Sequence, residues 1–230
     1  MFSKLQYISQ GLTAKEQLEN VHSVLDAGSD WIQLRFKNAN KKEFSFVAQK
    51  IKKLCENYKA TFIINDLVEL AKEIDAHGVH LGLQDMPILQ ARIILGDNKI
   101  IGGTANTLAD ALMRINEKCD YIGLGPFRFT STKTNLSPVL GLEGYKIIMK
   151  EVLKNNIQIP IYAIGGVSID DVIPIINTGV YGVAVSGSIT NHSNKRELLQ
   201  TFNSLLYSGV INNSPLKKGG RGIKTKRQIN

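Results

Sequence analysis

The sequence predicts an all-parallel, eight-stranded (β/α)8 barrel (TIM barrel), and three observations predict it. Short runs rich in β-branched and aromatic residues alternate with longer segments of helical spacing along most of the chain. Eight such alternations fit within residues 1–210, each helix supplying the crossover that parallel strands require. Glycines recur at the strand ends (Gly82, Gly102, Gly103, Gly123, Gly125, Gly165, Gly166 and Gly187), as suits tight turns whose backbone approaches a ligand. The competing arrangement, a doubly wound open sheet, would be marked by GxGxxG after the first strand, and none is there.

The elements follow in order. Strand one covers 4–8, and Thr13 with Glu16 forms a capping-box pattern opening a helix over 13–27. Strand two, WIQLR at 31–35, begins on Trp31, an aromatic suited to core packing, and leads to a helix over 41–58 with apolar residues at helical spacing. Strand three (60–65) precedes a helix over 67–74, strand four (78–81) one over 88–95, and strand five (99–103) one over 107–117. Strand six (120–124), which opens with Asp120 and Tyr121, is followed by a long polar loop and a helix over 143–155. Strand seven (160–165) runs into a helix over 168–177, where Ser168 ahead of Asp170 and Asp171 places a cap and negative charge at the helix start. Strand eight (181–186) precedes the last helix, 194–206.

The charge is unevenly placed. Of the net +8, six positive charges lie in residues 211–230, which hold no acidic residue. The expected organisation is therefore a single catalytic domain over 1–210 and a basic tail over 211–230. That tail is too poor in apolar residues to offset ordering entropy; it reads as a disordered, solvated appendage, with a weak polyanion contact as the other reading. No apolar run approaches the roughly 20 residues that span a bilayer. The N-terminus also lacks an apolar secretory core with a cleavage site, so a cytoplasmic protein is expected. Cys55 and Cys119 are too few and isolated for a disulfide framework or thiolate metal site, and read as reduced packing residues.

Chemistry in such a barrel belongs at the C-terminal strand ends. Strand two ends in Gln33, Arg35 and Lys37; a spacing of two places Gln33 and Arg35 on one face, with Lys37 just beyond, so that an amide and two cations can converge on one substrate. Strand three ends in Asn65 and Asp66, and the loop after strand four carries Asp85. Two carboxylates above adjacent strands suit Mg²⁺ completed by diphosphate oxygens and water, although each also stands where a helix cap would. The loop after strand six groups Thr130, Thr132 and Lys133, hydroxyls and an ammonium fit for phosphate oxygens. Strands seven and eight end in Gly165-Gly166 and Ser186-Gly187-Ser188, where backbone amides can cradle a second phosphate.

Other chemistries find no support: there is no Ser-His-Asp order, no HExxH and no prominent strand-end lysine for a Schiff base. His80 lies inside strand four and reads as a packed, hydrogen-bonded barrel residue rather than a general base.

The ordered set QLRFK (33–37), IND (64–66), GVHLGLQD (78–85), IIGGT (100–104), GLGPFRFTSTKT (123–134), AIGGV (163–167) and VAVSGSI (183–189) resembles the thiamine phosphate synthase family over nearly all of residues 3–207. The resemblance implies a transferase of thiamine biosynthesis that joins 4-amino-5-hydroxymethyl-2-methylpyrimidine diphosphate to thiazole phosphate and releases diphosphate. It implies pyrimidine and diphosphate binding by Gln33, Arg35, Lys37 and Asn65, with Thr104 near the pyrimidine and Asp66 and Asp85 on Mg²⁺. Lys133 would hold diphosphate, and Arg35, Lys37 and Lys133 together form the implied catalytic set. Thr130 and Thr132 would hold the thiazole phosphate, with Gly166, Val185 and Ser186 as its cradle. Two departures stand out: Thr104 replaces a common Ser, and Phe36 an often acidic residue. The alternatives are a thiazole tautomerase-like paralogue, which needs no diphosphate and metal site, and a non-catalytic phosphate-ligand binder. Expected partners are the two small-molecule substrates, with no nucleic acid and no membrane; a homo-oligomer is left open.

Overall fold

The computed structural model of the chain describes residues 2–37, 39–129, 138–155 and 157–208. Strands β1 (Leu5–Ile8), β2 (Trp31–Leu34), β3 (Thr61–Asn65), β4 (Gly78–Leu81), β5 (Ile100–Ala105), β6 (Tyr121–Leu124), β7 (Ile161–Ile164) and β8 (Gly182–Val185) form a closed barrel in sequence order. Every neighbouring pair is parallel, and β1 closes on β8 with Leu5 opposite Val183. Between and after the strands lie helices α1 (Ala14–Asp26), α2 (Lys41–Tyr58), α3 (Val68–Glu73), α4 (Ile88–Leu95), α5 (Leu108–Asn116), α6 (Gly141–Lys154), α7 (Val172–Ile176), α8 (Gly187–Thr190) and α9 (Lys195–Ser208).

Alternation along the strands divides the core in two. In β2, Ile32 and Leu34 join the apolar layer between sheet and helices, whereas Trp31 belongs to the cluster inside the barrel. That interior layer is aromatic. Trp31 lies 5.1 Å from Tyr121 and 5.2 Å from Tyr162 in edge-on geometry, and Phe2 stacks on it at 5.3 Å. Such pairs add about 0.5–1.5 kcal/mol each beyond their burial. The Tyr162 hydroxyl donates to the Ser3 carbonyl (2.6 Å) and that of Tyr181 to the Phe2 carbonyl (2.6 Å), tying the chain start beneath the barrel.

Not every glycine serves a turn. Gly102, Gly103 and Gly123 lie within strands. A Cβ at Gly102 would stand 2.2 Å from the Tyr121 ring, so its hydrogen makes room for a buried phenol rather than for a ligand.

Element ends differ from the expectations where local signals are weak. Strand β5 continues to Ala105, and α6 starts at Gly141. The stretch expected as one helix over 168–177 splits into a 3-10 turn, Ile169–Asp171, and the short α7. Pro174 fits there because it falls in the first turn, whose N–H groups have no intrahelical partner. Helix α8 is a single turn, too short for periodicity to reveal. The predicted Thr13–Glu16 capping box is present, with Glu16 N donating to Thr13 Oγ1 at 3.2 Å.

Cys55 and Cys119 are buried and free, and burial pushes each thiol up to about 12. Among the described residues no helix is long and apolar enough to cross a membrane. The basic tail, 211–230, lies outside the described residues.

Candidate active site

A cavity of about 520 Å³ opens at the C-terminal ends of the strands. Gln33, Arg35, Asn65, Gly166 and Ser186, singled out by strand position, line it together with Thr104 and Val185, which the family resemblance implied. Lys37, Asp66 and Asp85 do not line it but gather beside Arg35 at one rim. Thr130, Thr132 and Lys133 lie outside the described residues.

The charged rim is built by β2, β3 and the loop after β4. Ser9 Oγ accepts from the Arg35 backbone N–H at 2.9 Å, fixing the end of β2. Asp66 adopts left-handed backbone (φ 67°) and its N–H donates to the His80 carbonyl at 3.0 Å. Asp85 accepts from the Gly82 N–H at 2.6 Å. Neither carboxylate caps a helix: the cap positions of α3 and α4 are Leu67 and Pro87, without a side-chain cap bond. Both are therefore available for other work.

The Asp66 carboxyl is crowded by the strand ends even though the residue keeps an exposed side, and it stands within hydrogen-bonding reach of Asp85. Dehydration first, then Asp85, push it up to about 7, against the pull of Arg35 and Lys37. Dehydration lowers the affinity of Arg35 and Lys37 for their protons, partly offset by Asp66. Two carboxyls this close repel when both are charged, and a divalent cation between them removes that cost. Among the described residues no group of three or more His, Cys, Asp or Glu could hold a metal. A two-carboxylate set with phosphate oxygens and waters is the donor chemistry Mg²⁺ accepts, so these residues fit it.

The opposite rim is made of backbone. Gly166 has φ 74°, and a Cβ there would meet Arg128 Cβ at 2.8 Å. Arg128 clamps the turn: its N–H donates to the Gly165 carbonyl (2.9 Å), and its guanidinium donates to the Gly166 carbonyl (3.2 Å) and to both oxygens of Asp171. Burial opposes charge on Asp171, yet Arg128 and Ser168 hold it below the usual carboxylate range. Ser188 Oγ donates to the Val167 carbonyl (2.9 Å), joining the β7 and β8 turns. Ser188, named with the end of strand eight, also lines the cavity, as does Gln10, which sequence reasoning passed over. Gln10 follows β1, and the strand-end rule applied to the first strand finds it. Its Oε1 is buried without a partner.

The cavity floor is polar. Gln33 Nε2 donates to Gln6 Oε1 (3.0 Å), and Gln6 Nε2 donates to the Tyr121 hydroxyl (3.2 Å). That hydroxyl is 3.0 Å from His80 Nδ1, and His80 Nε2 is 3.0 Å from Thr104 Oγ1. His80 is thus buried and hydrogen-bonded, as its place in the strand predicts, and it also lines the cavity. Behind the floor, buried Arg114 donates to the carbonyls of Thr104 (3.1 Å) and Gly82 (2.8 Å), stapling β5 to the turn after β4. Phe36 turns away from the site and stacks on Phe44 of α2 at 6.4 Å, which gives an apolar residue a place between two cations.

Comparison with known proteins agrees with this geometry. The family model described as thiamine monophosphate synthase matches residues 6–189. The chain is 55% identical to the thiamine-phosphate synthase of Flavobacterium johnsoniae, covering 92% of this chain and 100% of that one. It is 54% identical to the thiamine-phosphate synthase of Flavobacterium psychrophilum, covering 90% and 100%. Among solved structures, thiamine phosphate pyrophosphorylase from Pyrococcus furiosus superposes with a TM-score of 0.77 at 32% identity, covering 90% of this chain and 96% of that one.

Proposed function

Because the chain belongs to the thiamine monophosphate synthase family, we infer that this transferase makes thiamine phosphate by Mg²⁺-assisted dissociative displacement. The substrates are 4-amino-5-hydroxymethyl-2-methylpyrimidine diphosphate and thiazole phosphate. The bond between the pyrimidine methylene carbon and the diphosphate oxygen breaks, and its electron pair leaves with diphosphate. The thiazole nitrogen then gives its lone pair to the methylene cation, forming the new C–N bond.

The observation that carries this reading is the polarity of the cavity: paired carboxylates and two cations at one rim, a backbone cradle at the other. Arg35 and Lys37 would meet the diphosphate and gain strength as negative charge develops on it. Asp66 and Asp85 would hold Mg²⁺, which when bound neutralises the leaving diphosphate. Gln33, Asn65 and Thr104 would seat the pyrimidine. Gly166, Val185 and Ser186 would seat the thiazole phosphate, with Thr130, Thr132 and Lys133 assigned to phosphate oxygens from the sequence pattern. With both substrates held, positioning supplies much of the rest. A tautomerase or a simple phosphate binder has no use for the acidic rim. The reaction is one of small molecules, and the cytoplasm is the compartment we assign to it.

The test is product analysis with both substrates, with and without Mg²⁺. Metal-dependent formation of thiamine phosphate and diphosphate is expected. Thiazole isomerisation without coupling would replace this reading by the tautomerase.

A further inference from the structure

Five buried side chains from five strands or strand ends form one hydrogen-bonded path across the barrel: Gln33, Gln6, Tyr121, His80 and Thr104, each no more than 8% exposed. Only Gln33, His80 and Thr104 line the cavity; Gln6 and Tyr121 lie beneath it. The path has a direction. Tyr121 Oη accepts from Gln6 and from the second amide hydrogen of Gln33, which fills its lone pairs, so its single proton points to His80 Nδ1. Burial holds the phenol in its protonated form. A ring that accepts at Nδ1 carries its hydrogen on Nε2 and donates it to Thr104 Oγ1. The Thr104 proton is then left for the cavity, while Gln33, with one amide hydrogen on Gln6 and the other on the Tyr121 hydroxyl, keeps Oε1 as its acceptor.

We propose that Tyr121 and Gln6 are positioning residues that fix opposite hydrogen-bond polarity at the two cavity ends of this path, Thr104 as donor and Gln33 as acceptor, and so select a 4-aminopyrimidine over a 4-oxopyrimidine. The amino form offers a ring-nitrogen acceptor beside an exocyclic N–H donor, matching the two ends. The 4-oxo form offers the same pair with the polarity exchanged. Accommodating it requires reversing the whole path, with both carboxamides of Gln6 and Gln33 turned over inside a packed barrel. The inference rests on the proposed pyrimidine-coupling reading and adds the origin of its base selectivity. Gly102 belongs to the same device, since any larger residue would displace the Tyr121 ring.

The test measures kcat and KM in the full-length protein for the pyrimidine diphosphate, its 4-oxo analogue and thiazole phosphate. Tyr121→Phe should lower the amino-to-oxo ratio of kcat/KM about tenfold, the effect of one lost polar contact. The KM for the pyrimidine diphosphate should rise and that for thiazole phosphate should stay within about twofold. Tyr162→Phe is the control, because that hydroxyl binds the Ser3 carbonyl and stands outside the path; it should leave the ratio unchanged. If Tyr121→Phe does not fold, Gln6→Met cuts the path at another link and should lower the ratio alike. An unchanged ratio in the path variants, or an equal fall in the Tyr162→Phe control, overturns the proposal while wild-type coupling stands. Absence of coupling by the wild type overturns the functional reading and this inference with it.

Discussion

Asp66 and Asp85 face each other across the ends of neighbouring strands, and their roles separate at the level of single atoms. Asp85 Oδ2 accepts from the Gly82 N–H, a bond that an asparagine oxygen can keep, whereas the charge cannot be kept. Asp85→Asn should therefore slow Mg²⁺-dependent coupling at least about a hundredfold, ~2.7 kcal/mol, and raise the Mg²⁺ concentration needed for half-maximal rate. Thermal unfolding without metal should not fall, because a charge beside Asp66 has been removed. Full activity of this variant, or of the wild type in excess chelator, removes the metal from the site. Arg35, on the same rim, should act on the leaving group. Arg35→Met should cut kcat by roughly ten- to a hundredfold, as loss of a charge-assisted bond implies. The KM for thiazole phosphate should change far less, and steady-state kinetics on both substrates reads the difference.

The elements impose their own constraints. The turn after β7 reaches its shape through Gly166 at positive φ, with Arg128 packed where a side chain would go. Gly166→Val should raise the KM for thiazole phosphate several-fold or more with a smaller change in kcat, and its backbone strain should cost about 1–3 kcal/mol of stability. If it and Arg35→Met disturb both substrates alike, the two-ended cavity is wrong. At the opposite end, β3 and β4 are locked by His77, whose N–H donates to the Phe62 carbonyl (3.0 Å) while its Nδ1 accepts from the Phe62 N–H (3.0 Å). Dehydration, then Lys99 and Lys52, hold this imidazole below its usual 6.5. The unfolded chain therefore binds the proton first as pH falls, so this contribution is present above about 6.5 and is lost below it. In His77→Asn the oxygen can still accept from Phe62 but does not titrate. Its melting temperature should decline less between pH 7.5 and pH 5 than that of the wild type, and equal slopes would disprove the lock.

At the scale of the whole molecule, closure of β1 on β8 brings the segment before β1 against α9. The Lys4 N–H donates to the Tyr207 hydroxyl (3.2 Å) and its ammonium to the Leu206 carbonyl (3.0 Å), so α9 is fastened across the strand that completes the barrel. These contacts lie before residue 212. Deleting 212–230 should leave the melting temperature within roughly 2 °C and coupling within about twofold of the full chain. A large loss of activity would assign the tail to the catalytic end of the barrel.

The eight strands were legible in the sequence because their signals are local: alternation, β-branched runs and glycine punctuation sit within five or six residues. Parallel pairing followed from the intervening helices, and parallel pairing sends every strand's C-terminal end to one side. That is why Gln33, Arg35, Asn65, Gly166 and Ser186 could be grouped from the sequence, while Thr104 and Val185 came only from the family resemblance. What the tertiary structure alone decided is which strand ends and interior side chains meet. Gln6 and Tyr121 are 115 residues apart and Arg128 and Asp171 43 apart, and no local pattern pairs them. Register and barrel closure do so, turning an ordinary-looking Gln, Tyr and His into one directed path. The same closure frees Asp66 and Asp85 from the helix-cap role their sequence positions equally allowed. A linear pattern specifies faces and ends, while contacts across a barrel depend on how all eight strands are staggered at once.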